Sequence, residues 1–411
     1  MKFHPFPIQP ARRAGLAGAA LAIVLSAALA ACGGGGGDAG APSMSTTGTL
    51  RLALTDAPSC GFDEVNVTIQ KVRVNQSSTA SDTDAGWSEV VLAPAKRVDL
   101  LTLTNGVLSE LGQTSLPTGR YTQMRLVLAA NDASTPLANS VKPTGGTETA
   151  LTTPSAVQTG LKMNIDTEVK ADQVADLVLD FDACRSVVKL GASGHYNLNP
   201  VVSVTPRVSD AANRVIGYVA PAIAVGSTIV SAQVNGVPVK STVPDASGKF
   251  TLTPLAAGNY DVVVSASGRA TAVISAVPVT TTANTTLNAS ATPIDPPTTT
   301  ARTASGIVTV TPVVSPIMAN VVARKVLADG LVVEVAGAPV DGSTGAFSFD
   351  LPSTAPQRAV YAAGTTAISF AADSVTPTGK YTLVASSGAS VKNVPIDIST
   401  AAATSLAIAL P

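Results

Sequence analysis

The chain has 411 residues, of which 45% are hydrophobic, 13% charged and 4% aromatic, and its formal net charge is -1. A near-neutral chain has no electrostatic footprint for nucleic acid, an apolar fraction this high excludes a disordered chain, and a single long apolar run excludes a multi-span membrane protein. Only two histidines occur, one of them His4 at the N-terminus, so a multi-histidine metal site or a set of acid–base catalysts is hard to build; no catalytic residue, metal or cofactor is expected.

The first element reads as an export signal over residues 1–31. Lys2, Arg12 and Arg13 form a basic start, and Ala14 to Ala31 is an uncharged run ending in Leu29-Ala30-Ala31-Cys32. A basic start, an apolar centre and small residues at the cut are what a signal peptide needs. Small residues abutting a cysteine resemble the bacterial lipobox. That resemblance implies a lipidated Cys32 as the first mature residue, and so a lipid bilayer as partner. Two or more acyl chains hold a protein on a membrane stably. Gly33 follows the cysteine, instead of the Asp that resembles an inner-membrane retention signal, which favours the outer membrane. Loss of Lys2, Arg12 and Arg13 with residues 1–31 takes the formal charge from -1 to -4. Residues 32–47 then form the lipidated cysteine and a Gly-rich tether.

Two cysteines remain, Cys60 and Cys184. In an exported chain they most simply pair with each other; the alternative is two buried thiols. From residue 48 the pattern is period two. Leu50, Leu52 and Leu54 alternate with Arg51, Ala53 and Thr55, Val65, Val67 and Ile69 with Asn66, Thr68 and Gln70, and Leu177, Leu179 and Phe181 precede or follow Asp180 and Asp182. Such runs, separated by Gly, Pro, Asn and Asp, predict half-buried strands. The one helical piece is expected near Val107 to Leu111. The fold class is all-β: three tandem β-sandwiches over 48–206, 207–292 and 304–411, with a stiff Pro/Thr linker over 293–303.

Internal repetition supports that division. Pro117-Thr118-Gly119-Arg120-Tyr121, Ala256-Ala257-Gly258-Asn259-Tyr260 and Pro377-Thr378-Gly379-Lys380-Tyr381 each precede a strand-like run. Each Tyr can bury its ring and return its hydroxyl to nearby backbone, as in a tyrosine corner. Asp245-Ala246-Ser247-Gly248-Lys249-Phe250 is echoed by Asp341-Gly342-Ser343-Thr344-Gly345-Ala346-Phe347. The last copy carries an extra two dozen or so residues near 353–376, within what surface loops tolerate, including a strand-like Ala367-Ile368-Ser369-Phe370.

Asp245 to Phe250, Leu255 to Val264 and Gly268 resemble the carboxypeptidase regulatory-like, transthyretin-type sandwich over 207–292, and 299–411 looks like a diverged copy. The resemblance implies an accessory module of carbohydrate-binding-like fold. The strand Thr49–Thr55 followed by Asp56-Ala57-Pro58, then Phe62 to Val74, Gly86-Trp87, Val98 to Leu101, Leu116 to Leu126 and Tyr196 to Pro200 resemble a domain of unknown function common in bacterial lipoproteins. That resemblance implies export and a sandwich, and brings no activity.

Single residues offer little chemistry. Asp56 is expected to accept backbone N–H groups in a turn. Asp82-Thr83-Asp84-Ala85-Gly86 has the acid spacing of the start of a calcium loop but lacks its later ligands. Asp166, Glu168, Asp172, Asp176, Asp180 and Asp182 form an acidic stretch, with Asp180 and Asp182 on one solvated sheet face. His195 lacks the partners of a hydrolase triad and reads as a strand-start residue. Trp87 is expected in the core. The function expected is that of a non-enzymatic, membrane-anchored envelope module with a protein or glycan ligand, the alternative being a carbohydrate-binding accessory protein of the cell surface.

Overall fold

A computed structural model describes residues 46–56, 61–207, 212–224, 228–373, 375 and 377–411. The signal segment, Cys32 and Cys60 lie outside the described residues. What is described is an all-β protein of several separate sheets, with three short α-helices at Pro154–Gln158, Ala183–Ser186 and Pro221–Ala224.

In the first sandwich the strand Thr47–Asp56 sits inside a four-stranded sheet, parallel to Val174–Phe181 and antiparallel to Ser109–Pro117, with Val202–Pro206 at the far edge. Its Leu50, Leu52 and Leu54 turn inward against Val65, Val67 and Ile69 of the long strand Phe62–Asn75, which belongs to the facing eight-stranded sheet. The alternation read from the sequence is therefore the pleat of a packed sheet. The helix expected at Val107 to Leu111 is not there. Ser109 already pairs with Leu54, and the helical turn falls earlier, as a 3₁₀ segment Leu100–Leu103 capped by the Asp99 carboxylate accepting from the Leu101 N–H. The apolar spacing of Val107 and Leu111 imitates a helix, but Gly106 and Gly112 at positive φ break one.

The second sandwich faces a three-stranded sheet (Lys249–Leu252, Val215–Tyr218, Thr285–Thr286) with a six-stranded one containing Val237–Thr242, Ile229–Val234, Gly258–Ser265 and Ala272–Val279. The third faces Ala346–Pro352, Ala301–Val310 and Ala403–Leu410 with Val332–Pro339, Asn320–Val326, Lys380–Ser387 and Ser390–Asp397. The repeated turns have one construction. The Asp245 carboxylate accepts from the N–H groups of Ser247 (2.9 Å) and Lys249 (3.1 Å), and the Asp341 carboxylate from Ser343 (3.0 Å) and Thr344 (2.9 Å). Gly248 and Gly345 close them at positive φ. A Cβ on either would lie 2.0 Å from the carbonyl oxygen of Val219 or Val308, so only glycine fits. The three tyrosines are corners too: Tyr121 Oη donates to Pro117 O, Tyr260 Oη to Ala256 O and Tyr381 Oη to Pro352 O. The third acceptor is 29 residues back instead of four, because the extra segment intervenes.

Two features differ from the sequence expectation. The Pro/Thr stretch is not a free spacer. Ile294 is buried, its N–H donates to Tyr218 O and its carbonyl accepts from Ala220, while Thr299 N–H donates to Gly268 O. Its backbone groups find partners on the second sandwich, so the segment lies along that module. Nor is the extra segment of the third repeat only a surface loop: Gln357–Val360 adds a strand to the sheet of the second sandwich, parallel to Ala272–Val279. That sheet is also buried on both sides. Val262, Val264 and Ile274 belong to the second core, and Val263 and Val273 to the third, which accounts for the unbroken Val262-Val263-Val264 run.

Candidate functional site at the three-module junction

The acidic stretch does not stay together. Asp166 pairs with Arg120 at 2.5 Å, Glu168 with Lys170 at 3.4 Å, and Asp176 with Arg51. Asp180 is largely withdrawn from solvent and Asp182 is half-buried, which corrects their reading as a wet face. The outer side of the four-stranded sheet is covered by the second sandwich, and Lys240 Nζ, on its edge strand, lies 2.6 Å from Asp180 Oδ1; the two side chains are 2% and 11% exposed. Burial raises the Asp180 carboxyl above its usual range, and the Lys240 charge opposes that rise.

Two residues further on, Asp182 caps the helix Ala183–Ser186, its carboxylate accepting from the Arg185 N–H at 3.0 Å. The Arg185 guanidinium pairs with the Glu334 carboxylate of the third sandwich. Gln233, from the second sandwich, grips the same residue by its backbone: Gln233 Nε2 donates to Glu334 O and Glu334 N–H donates to Gln233 Oε1, both at 2.8 Å. Burial lifts both Asp182 and Glu334, against the pull of Arg185. A loop of the first sandwich adds a second clamp, with Asn105 N–H donating to Thr242 Oγ1 (2.8 Å) and Asn105 Oδ1 accepting from Thr251 N–H (2.6 Å). Between the first and third modules, Gly191 N–H donates to Asp341 Oδ2 and Gly342 N–H to Lys189 O, each at 2.8 Å. A cavity of about 70 Å³ remains at the centre, lined among others by Asp182, Cys184, Arg185, Ser231 and Ser265. Recesses of about 240 and 270 Å³ open on either side and share Gly337 with it.

Asp56 accepts a backbone N–H, as the sequence suggests, but from Ala183, 127 residues away, at 3.0 Å. It is fully buried, its second oxygen has no hydrogen-bond partner, and burial pushes its carboxyl well above the usual carboxylate range. An acid whose folded pKa is raised contributes stability that is complete below its unfolded pKa, about 4, and is lost as pH rises through the folded value. Asp56→Asn keeps the acceptor and cannot ionise. The variant is therefore expected to match the parent near pH 4 and to exceed it at pH 8 in urea midpoint; a lower midpoint at pH 8 would reject the buried-acid account.

The remaining sequence candidates lie apart. Asp84 accepts from the Ser81 N–H, which lowers its carboxyl, and Asp82 offers Arg73 its backbone carbonyl. Among the described residues no group of three or more His, Cys, Asp or Glu is placed to hold a metal ion. His195 is exposed at the start of His195–Leu198. Trp87 is not in the core. It is half-buried, its indole N–H donates to Ser81 O at 2.8 Å, and the guanidinium carbons of Arg73 and Arg125 lie 4.6 and 5.0 Å from its ring centroid. Sequence reasoning passed over Lys240, Gln233, Arg185 and Glu334. It also passed over Lys325, which is buried, with Nζ donating to Pro377 O (2.5 Å) and Lys380 O (2.9 Å) and lying 5.2 Å from the Tyr381 ring. Burial brings its pKa down to about 8. The available signal was a charge placed within a valine-rich strand, Asn320–Val326, of a chain poor in charges.

Residues 47–200 match the family model of a domain of unknown function, DUF4382, and residues 203–292 that of the carboxypeptidase regulatory-like domain. The chain thus carries a DUF4382 domain followed by a carboxypeptidase regulatory-like domain, and no catalytic family is indicated. No curated protein matches the chain. Among solved structures, a type II cohesin–X-dockerin complex of Acetivibrio cellulolyticus aligns at 30% identity with a TM-score of 0.18, over 20% of this chain and only 55% of that one, so this chain spans about half the length of that relative. The TIE protein of Bacillus anthracis aligns at 10% identity over 89% of this chain and 50% of that one (TM-score 0.17). BcpA, the major pilin subunit of Bacillus cereus, aligns at 10% over 89% and 99% (TM-score 0.15).

Proposed function

We propose that this is a non-enzymatic lipoprotein of the cell envelope, exported, cut before Cys32 and held by acyl chains on that cysteine, most naturally in the outer membrane. It acts as a binding or structural body carried on the tether 32–47. The observation that supports this most is the junction. Lys240 with Asp180, Arg185 with Glu334 and Gln233 with Glu334 join all three sandwiches, with Lys240, Gln233 and Glu334 buried. The buried titratable groups there are engaged with one another, as suits a rigid body presenting its outer surface to a protein or glycan ligand.

A disulfide between Cys60 and Cys184 belongs to the same reading. Asp56 is opposite Phe181 and takes the Ala183 N–H, and Cys184 is the next residue. Four residues from Asp56 to Cys60 reach about 13 Å, which is ample for a bond between them. Closing the long loop from Cys60 to Cys184 stabilises by about 4–5 kcal/mol in the chain-entropy model. The carbohydrate-binding alternative gains no support from Trp87, whose ring is in contact with the guanidinium groups of Arg73 and Arg125, or from Tyr121, Tyr260 and Tyr381, which are buried corners.

Cell fractionation tests the anchor. The parent chain is expected in the membrane fraction and Cys32→Ser in the soluble one; Cys32→Ser remaining on membranes would overturn the lipobox reading. The intact mass of the unreduced mature chain tests the disulfide. It should be two hydrogens lighter than the thiol form, and a full-mass chain refutes the bond.

A further inference from the structure

The third sandwich places part of itself on the second. Between its strands Ala346–Pro352 and Lys380–Ser387 the chain leaves the third core and lays Gln357–Val360 along Ala272–Val279 in parallel register, Ala272 opposite Gln357 and Ser275 opposite Val360. Gln357 N–H donates to Thr271 O at 2.8 Å and Tyr361 N–H to Ser275 O at 3.0 Å, which extends the ladder at both ends. Tyr361, Ile368 and Phe370 pack against the second core, and Ala289 N–H donates to Thr366 O at 2.9 Å. The outer side of this arm is wet: Val360 is 69% exposed, and residues 362–367 are exposed throughout.

The second sandwich supplies no strand of its own beyond Ala272–Val279. Without the arm that edge is a row of unpaired N–H and C=O groups over apolar side chains, the form of site that captures an extended chain. The occupant that fits it is on view, because the arm already fills it in cis. We propose that Ala272–Val279 is an exchangeable strand-acceptor site, and that its partner between molecules is the 357–370 arm of a second copy of this chain. An arm seated on a neighbour makes the contacts it made at home, so exchange costs little beyond association itself. The strand of the arm pairs over four rungs, and parallel pairing is slightly the weaker kind per residue. Two copies that each lend an arm form a closed pair; lending in one direction only gives an open chain.

Facing rungs of a sheet are about 4.8 Å apart, within the Cα separation that a disulfide spans. Full-length Ser275→Cys and full-length Val360→Cys chains are therefore mixed at rising concentration under mild oxidation. The expected product is a reducible heterodimer, several-fold above that from a control mixture of Ser275→Cys with Val391→Cys, whose cysteine lies on a different exposed strand. Heterodimer at or below the control level overturns exchange, and intramolecular cross-linking of the Ser275→Cys/Val360→Cys double variant shows that the rung itself is competent. Should the variants fail to fold, a labelled peptide of residues 354–370 is titrated into the unaltered chain. Saturable binding that Ala359→Pro in the peptide abolishes supports the acceptor site, and absence of such binding refutes it.

Discussion

Lys240→Ala is expected to destabilise the described body by about 3–5 kcal/mol, because it leaves Asp180 as an uncompensated charge in a site already closed to water. The pair is 2.6 Å apart and its side chains are 2% and 11% exposed, so it has none of the screening that makes surface ion pairs nearly worthless. The same physics predicts a different result for removing both charges. Lys240→Met with Asp180→Leu replaces the pair by apolar groups of similar length and should be close to neutral. Urea midpoints measure both variants. Hydrogen exchange locates the damage, which should appear in Val174–Phe181 and Val237–Thr242 rather than in the third sandwich. A loss below about 1 kcal/mol for Lys240→Ala, the range of exposed pairs, would mean that water reaches the junction and that the first two modules are not locked by it.

The strands of this molecule are written locally, and the junction is not. Leu50, Leu52 and Leu54 announce a one-sided strand by alternation alone. The Asp245 and Asp341 turns announce themselves because carboxylate, donors and glycine all lie within five residues. The tyrosine corners are legible for the same reason, with acceptors four residues away in two of three cases. By contrast, Lys240 meets Asp180 across 60 residues, Gln233 meets Glu334 across 101 and Arg185 meets Glu334 across 149. No periodicity carries that information, so Asp180 and Asp182 look like a wet face until the second module covers them. Trp87 misleads in a related way. A lone tryptophan ahead of a strand usually packs inward, but Arg73 and Arg125, on separate strands, hold its ring near the surface. The Pro/Thr stretch misleads because its composition is that of a spacer, while its backbone bonds go to partners that composition does not reveal.

The second sandwich is expected to fail as an independent unit, although its family model ends at residue 292. Val263 and Val273 are part of the third core, and Ala272–Val279 is paired on its outer side by Gln357–Val360. A chain ending at residue 300 therefore bares two buried valines, each worth about 1.5–3 kcal/mol of burial, together with an open sheet edge. The loss of about 3–6 kcal/mol from the valines alone corresponds to a fall in Tm of the order of 10 °C. Calorimetry of residues 46–300 against 46–411 measures it, with hydrogen exchange expected to speed up over Gly258–Ser265 and Ala272–Val279 and to change least in the first sandwich, whose core draws on neither later module. Equal melting of the two chains would show that the shared wall contributes nothing and that the modules are separable. A lower melt confined to those two strands would show that the last two sandwiches fold as one body, so that any ligand surface spanning them exists only in the intact chain.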